Sequence, residues 1–190
     1  MHSENVVSIE LLLDPATEAA IRAEWEALAE AGLSSLAAHT AESNRPHVTL
    51  LARRSLPPLP DLTSPRPPFA VTLGAPLLFG GGDRRVLARS VVPTAALLRL
   101  HADVHGAAGE DEDLPHTAAG DWTPHVTLAR RVRLADIAAV LPLIGGEIRG
   151  RAGRLRRWDK RSATVTDLGG FDGRNENAGI PGDDDPVNAS

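Results

Sequence analysis

The chain contains no cysteine. Disulfide bonds and thiolate metal sites are thereby excluded, and a cytoplasmic setting is the expected one. Tyrosine is also missing, and only three tryptophans and three phenylalanines occur, so a core has to be assembled from Leu, Val, Ile and Ala. No run approaches the roughly 18 apolar residues of a membrane span. The start, Met1-His2-Ser3-Glu4-Asn5, lacks the basic stretch that leads into the apolar part of a signal peptide. What is there, 42% hydrophobic residues over 190 positions, suffices for one domain or two small, closely packed lobes.

Positive charge is short as well: the net charge is −5, which taken alone argues against a nucleic-acid partner. Its distribution weakens that argument. From Gly169 onward Asp172, Glu176, Asp183, Asp184 and Asp185 face only Arg174, leaving about −1 on residues 1–168. Residues 169–190 are rich in Gly, Asn, Asp and Pro with little to bury, so a disordered acidic tail is expected behind a folded unit at 1–168. Within that unit Arg149, Arg151, Arg154, Arg156, Arg157, Lys160 and Arg161 are opposed only by Asp159. Such a run is ordinarily a solvated face, and it is also a surface that a short RNA strand can use.

The strongest internal signal is a repeated phrase. Pro46-His47-Val48-Thr49-Leu50 returns as Pro124-His125-Val126-Thr127-Leu128, 78 positions later, which points to an internal duplication. Each copy alternates polar and apolar residues, the period of a half-buried strand. His and Thr share one face roughly 7 Å apart, at about 3.3 Å per residue. Two such strands side by side bring two imidazoles and two hydroxyls into one cleft. Near neutral pH one imidazole can take a proton while the other gives one, and the hydroxyls can donate to phosphate oxygens. That chemistry suits transfer at a phosphodiester and requires neither a metal nor a cofactor.

The paired His-x-Thr-Leu segments, the proline before each histidine and Ala129-Arg130 after the second copy resemble the two-histidine (2H) phosphoesterase superfamily. Within it they are most similar to the bacterial 2′-5′ RNA ligase, or RNA 2′,3′-cyclic phosphodiesterase, branch. The likeness extends over about residues 5–168. It implies an α+β fold of two pseudo-symmetric sheet-and-helix lobes, with His47 and Thr49 from one and His125 and Thr127 from the other lining a central groove. It further implies that a 2′,3′-cyclic phosphate is opened to a 2′-phosphate, with His47 as acid to the departing 3′ oxygen and His125 as base; the residues alone do not tell the two apart. The same opening with a 5′-hydroxyl RNA in place of water would make a 2′-5′ linkage. The partner is then an RNA end or a small cyclic nucleotide, with no membrane involved and a monomer expected. ADP-ribose 1″,2″-cyclic phosphate, 2′-5′ oligoadenylate, or a non-catalytic RNA-binding role are the alternatives.

Candidate substrate contacts are Arg130, Arg131, Arg53 and Trp122. Arg130 matches the family's arginine, yet strict alternation puts Arg131 on the face of His125. A bulge after the motif would bring Arg130 in. Arg53 is the counterpart in the first copy. Trp122, just ahead of the second motif, can stack on a base or pack in the core.

Elsewhere the chain reads as connecting structure. Val6 to Leu13 suits a buried strand, and Asp14-Pro15 a capped helix start, with Ile21, Trp25 and Leu28 on one stripe. Residues 57–68 are proline-rich and read as a surface connection. Gly80-Gly81-Gly82-Asp83 lacks a phosphate-loop pattern and reads as a hairpin turn between strands at 69–79 and 85–91. Pro93 opens a helix carrying His101 and His105 four apart, a metal-compatible spacing that lacks the glutamate of a zinc protease. The acidic loop 109–120 is expected to be solvated, with His116 lacking an evident partner. Leu134, Ile137 and Leu141 suggest a further helical stripe, and 147–158 with 163–168 a closing hairpin.

Overall fold

The structure is a computed structural model that describes residues 5–59, 62 and 66–171. It opens with strand β1 (Val7–Leu13), every residue of which is buried. Asp14 then caps helix α1 (Pro15–Glu30): its Oδ1 accepts from the amides of Ala16 and Thr17, and Pro15 occupies the first turn. A cap of this kind stabilises a helix by about 1 kcal/mol. Ile21, Trp25 and Leu28 form its buried stripe, as the spacing predicts.

Strand β2 (His47–Arg53) comes next, then β3 (Ala70–Phe79) and β4 (Arg84–Val91), joined by the glycine hairpin. Helix α2 (Ala95–Ala108) begins two residues later than Pro93, because the Thr94 hydroxyl accepts from the amide of Leu97 and acts as the cap. Strand β5 (His125–Arg133) leads into a broken helical stretch whose central turn is α3 (Ile137–Val140). The long β6 (Ile148–Asp159) and β7 (Thr164–Gly170) complete the sheet.

The seven strands among the described residues join one antiparallel sheet in the order β1-β2-β5-β4-β3-β6-β7, with a further pairing of β1 on β6. Strand β6 serves two neighbours in succession: residues 148–151 pair with β3, and residues 152–159 with β1. The α+β class is therefore the one expected, and any lobes are halves of a single sheet. Those halves also meet between β2 and β5, at one register pair, Val48 opposite Val126.

Three expectations need correction. The proline-rich stretch is more than a surface connection, since Leu59 and Leu62 enter the core, as does Leu56 just ahead of it. After β5 the buried residue is Val140, while Leu134 and Leu141 stay exposed, because short helical segments break the stripe. The ordered chain also continues past 168: Gly169 and Gly170 lie in β7, and Phe171 is buried edge-on against Phe69 at 5.3 Å. The tail expected from 169 otherwise lies outside the described residues. Among the described residues no helix is long and apolar enough to cross a membrane.

Candidate active site

Each motif histidine is the first residue of its strand, entered from a buried proline, Pro46 or Pro124. In both, Nδ1 lies 2.7 Å from the carbonyl oxygen two residues earlier, Arg45 for His47 and Thr123 for His125. A carbonyl can only accept, so Nδ1 carries the hydrogen in both rings and Nε2 is left as the titrating nitrogen. Val48, Leu50, Val126 and Leu128 are fully buried on the other face, which holds the polar face in one orientation. Continued one step either way, the Val48–Val126 register sets His47 across from Thr127 and Thr49 across from His125.

Bulges shape the chain beyond each motif. Ile9 and Glu10 of β1 oppose Leu51 and Thr49, so Leu50 is an extra residue in β2. Leu87 and Ala88 of β4 oppose Ala129 and Thr127, so Leu128 is extra in β5. A second bulge lies between Ala129 and Val132, where Arg131 takes φ 61°, a rare conformation for a residue other than glycine. The outcome for the arginines is clear: Arg130 lines the cavity beside His47, and Arg131 does not.

That cavity has a volume of about 450 Å³ and is lined by His47, Thr49, Thr127, Arg130, Glu10 and Arg156 among others. His125 is not among its lining residues. Its ring instead packs 4.5 Å from Phe79, and Phe79 in turn lies 5.2 Å from His116. The loop histidine thus has a partner, and its φ of 66° marks the tight backbone that brings it there. Burial pushes the His125 pKa below its ordinary 6.5, and the charges of His47 and His116 push the same way against the Thr123 carbonyl.

Two tryptophans brace the motif strands. Trp25 Nε1 donates to the Thr127 carbonyl at 3.1 Å, and Trp122 Nε1 to the Thr49 carbonyl at 3.0 Å. Trp122 is also stacked on His101, with centroids 4.0 Å apart and planes 13° from parallel. One face of its ring is thereby packed against the protein, which is the core-packing role of the two read from the sequence. His101 and His105 both place Nε2 near the carbonyl of Thr117, at 3.0 and 2.9 Å. Among the described residues no group of three or more His, Asp or Glu is arranged to hold a metal.

Arg53 is corrected as a substrate contact. It is 3% exposed, pairs with Asp113 at 2.7 Å, and donates to the carbonyls of Ala108 and Gly109. Those are carbonyls at the end of α2, where a cation is favoured. The acidic loop is accordingly anchored through Asp113 and through Leu114, whose amide bonds to Ala52. The basic run on β6 is mostly engaged too: Arg149 with Glu147, Arg154 with Asp167 and Arg157 with Asp159.

Residues that sequence reasoning missed sit on β1 and β6. Glu10 is 3% exposed, and its Oε2 receives Arg156 Nε at 2.7 Å. Its Oε1 accepts from Ser8 Oγ at 2.7 Å and lies 3.6 Å from His47 Nε2. Burial alone would raise the Glu10 pKa, but His47 and Arg156 outweigh it and hold it below its usual 4.5. A carboxylate within the apolar run Ile9 to Leu13 was the available signal.

The matching protein-family model is the 2′-5′ RNA ligase superfamily, over residues 17–169. The chain is similar in structure to E. coli LigT in its apo form, with TM-score 0.56, 17% identity, and coverage of 89% of this chain and 98% of LigT. TT0787 of Thermus thermophilus gives 0.55, 19%, 90% and 100%. Usb1 of Kluyveromyces marxianus gives 0.50, 13%, 87% and 98%. At these identities the likeness is one of fold. No curated protein sequence matches. The family model spans most of the chain, both His-x-Thr segments included, and the protein belongs to the 2′-5′ RNA ligase superfamily of two-histidine phosphoesterases.

Proposed function

We propose that the protein opens 2′,3′-cyclic phosphates at RNA ends to 2′-phosphates by acid–base catalysis at His47 and His125. The observation that carries this reading is the matched pair of carbonyl clamps, which frees Nε2 of both rings on strands joined at Val48 and Val126. Water attacks phosphorus, His125 Nε2 takes its proton, and the bond from phosphorus to the 3′ oxygen breaks. His47 Nε2 supplies the proton to that departing oxygen. His125 suits the base because burial favours its neutral form. The hydroxyls of Thr49 and Thr127 and the guanidinium of Arg130 donate to the non-bridging oxygens as charge builds there. The same steps with a 5′-hydroxyl RNA in the place of water form a 2′-5′ linkage.

Turnover of a dinucleotide ending in a 2′,3′-cyclic phosphate, monitored by phosphorus NMR in EDTA, tests the reading. A 2′-phosphate product is expected. His47→Ala and His125→Ala should each lower the rate by about 10²–10⁴-fold. Binding without turnover would favour a non-catalytic module, and a 3′-phosphate product would remove His47 as acid to the 3′ oxygen.

A further inference from the structure

We propose that Glu10 is a positioning residue for His47: its buried carboxylate, tethered by Arg156 and Ser8, holds His47 in the proton-donating form and so decides which histidine is the acid. This rests on the two-histidine reading above and deepens it.

Among the described residues that line the 450 Å³ cavity, Glu10 is the only acid. The other charged or titratable linings are cationic or imidazole: Arg45, Arg130, Arg156, Lys160 and His39. Around His47 itself, β1 contributes Glu10, β6 contributes Arg156 through its bond to Glu10, and β5 contributes His125, whose charge and that of His47 repel, with Thr127 and Arg130. The guanidinium of Arg45 is turned away to Glu18 at 2.5 Å. A site built for an anionic phosphate gains nothing from a carboxylate, and burying one is costly without a reason. Without Glu10 the His47 ring would face a field of one sign, and its charged form would be disfavoured.

The geometry divides the labour between the two oxygens. Oε2 is taken by Arg156, while among the described residues Oε1 accepts only from the Ser8 hydroxyl and faces His47. At 3.6 Å the contact is longer than a hydrogen bond. The imidazolium is therefore stabilised through space, and its Nε2–H stays free to be given to the departing oxygen.

The test is a nitrogen-resolved NMR titration of the His47 and His125 rings, without substrate, in the natural protein, Glu10→Gln and Arg156→Gln. Glu10→Gln should move the His47 ring signal's response to lower pH, and with it the alkaline limb of the rate profile. Arg156→Gln removes the competing cation and should move both the other way. Both variants break the same ion pair, so a purely structural role predicts equal effects from the two, and equal or absent shifts overturn the proposal. Because the titration needs no turnover, its failure is separable from failure of the proposed reaction.

Discussion

Trp122 donates its indole N–H to the carbonyl oxygen of Thr49, reaching from the approach to one motif strand to the backbone of the other. Trp25 on α1 does the same for Thr127. Strands β2 and β5 share one register pair, so the Trp122 indole supplies a cross-brace that the ladder does not, while Trp25 ties β5 to α1. Trp122→Phe keeps an aromatic ring for His101 to stack on and removes the donor. Leaving a part-buried carbonyl unsatisfied should cost about 1–3 kcal/mol, read as a lower urea midpoint, together with a lower kcat as β2 loosens.

The Phe79 ring packs against that of His125, with centroids 4.5 Å apart. Phe79→Ala should solvate the ring and let its pKa rise toward 6.5. The activity profile against pH should be bell-shaped, and its acidic limb reports the base. That limb should move to higher pH in the variant; an unmoved limb would show that Phe79 does not set the His125 environment.

Stability should also respond to pH with a definite sign. His125 and His101 both titrate below 6.5 in the fold, burial being the main cause in each. Between the folded value and 6.5 the unfolded chain binds more protons, so stability rises with pH across that window. It is fully present above about 6.5 and declines below it. Glu10 is held below 4.5, and its contribution persists above 4.5 and is lost as pH falls further. Urea midpoints measured from about pH 8 to pH 4 should be level at first, fall below about 6.5, and fall more steeply below about 4.5.

The two neighbouring arginines should separate cleanly. Arg130→Ala removes a charged donor from the cavity and should lower kcat/KM by about 10–100-fold, the equivalent of a charge-assisted hydrogen bond. Arg131→Ala, outside the cavity, should change kcat/KM by less than about threefold. Equal losses would return Arg131 to the site.

Arg89 should be a stability residue without a catalytic part. It is 1% exposed and bonds to Glu24, to the Gly74 carbonyl at 2.9 Å and to the Gly145 carbonyl at 2.7 Å. Glu24→Ala leaves that guanidinium buried without its carboxylate and should destabilise the fold by about 3–5 kcal/mol. Denaturant unfolding measures it.

Much of the fold was legible in the order of residues. The first strand, the capped helix behind Asp14, the glycine hairpin and both motif strands arise from local periodicity and turn chemistry, which depend on near neighbours in the chain. The bulge that admits Arg130 was deducible because alternation conflicted with the motif. Long-range commitments were not legible: Arg53 and Arg130 each come after a His-x-Thr strand segment, yet one caps the end of α2 and the other lines the cavity. Local sequence carries no record of which carbonyls will lie orphaned nearby.

By itself the sequence determined the half-buried character of the two motif strands and the pairing of imidazole with hydroxyl on each, because a period of two is a property of the backbone. Only the tertiary structure decided that β1 brings Glu10 beside His47 while Phe79 covers His125. Two histidines in the same pentapeptide thereby acquire different surroundings, since a proton's affinity depends on the charges and water around the ring and not on its neighbours in the chain.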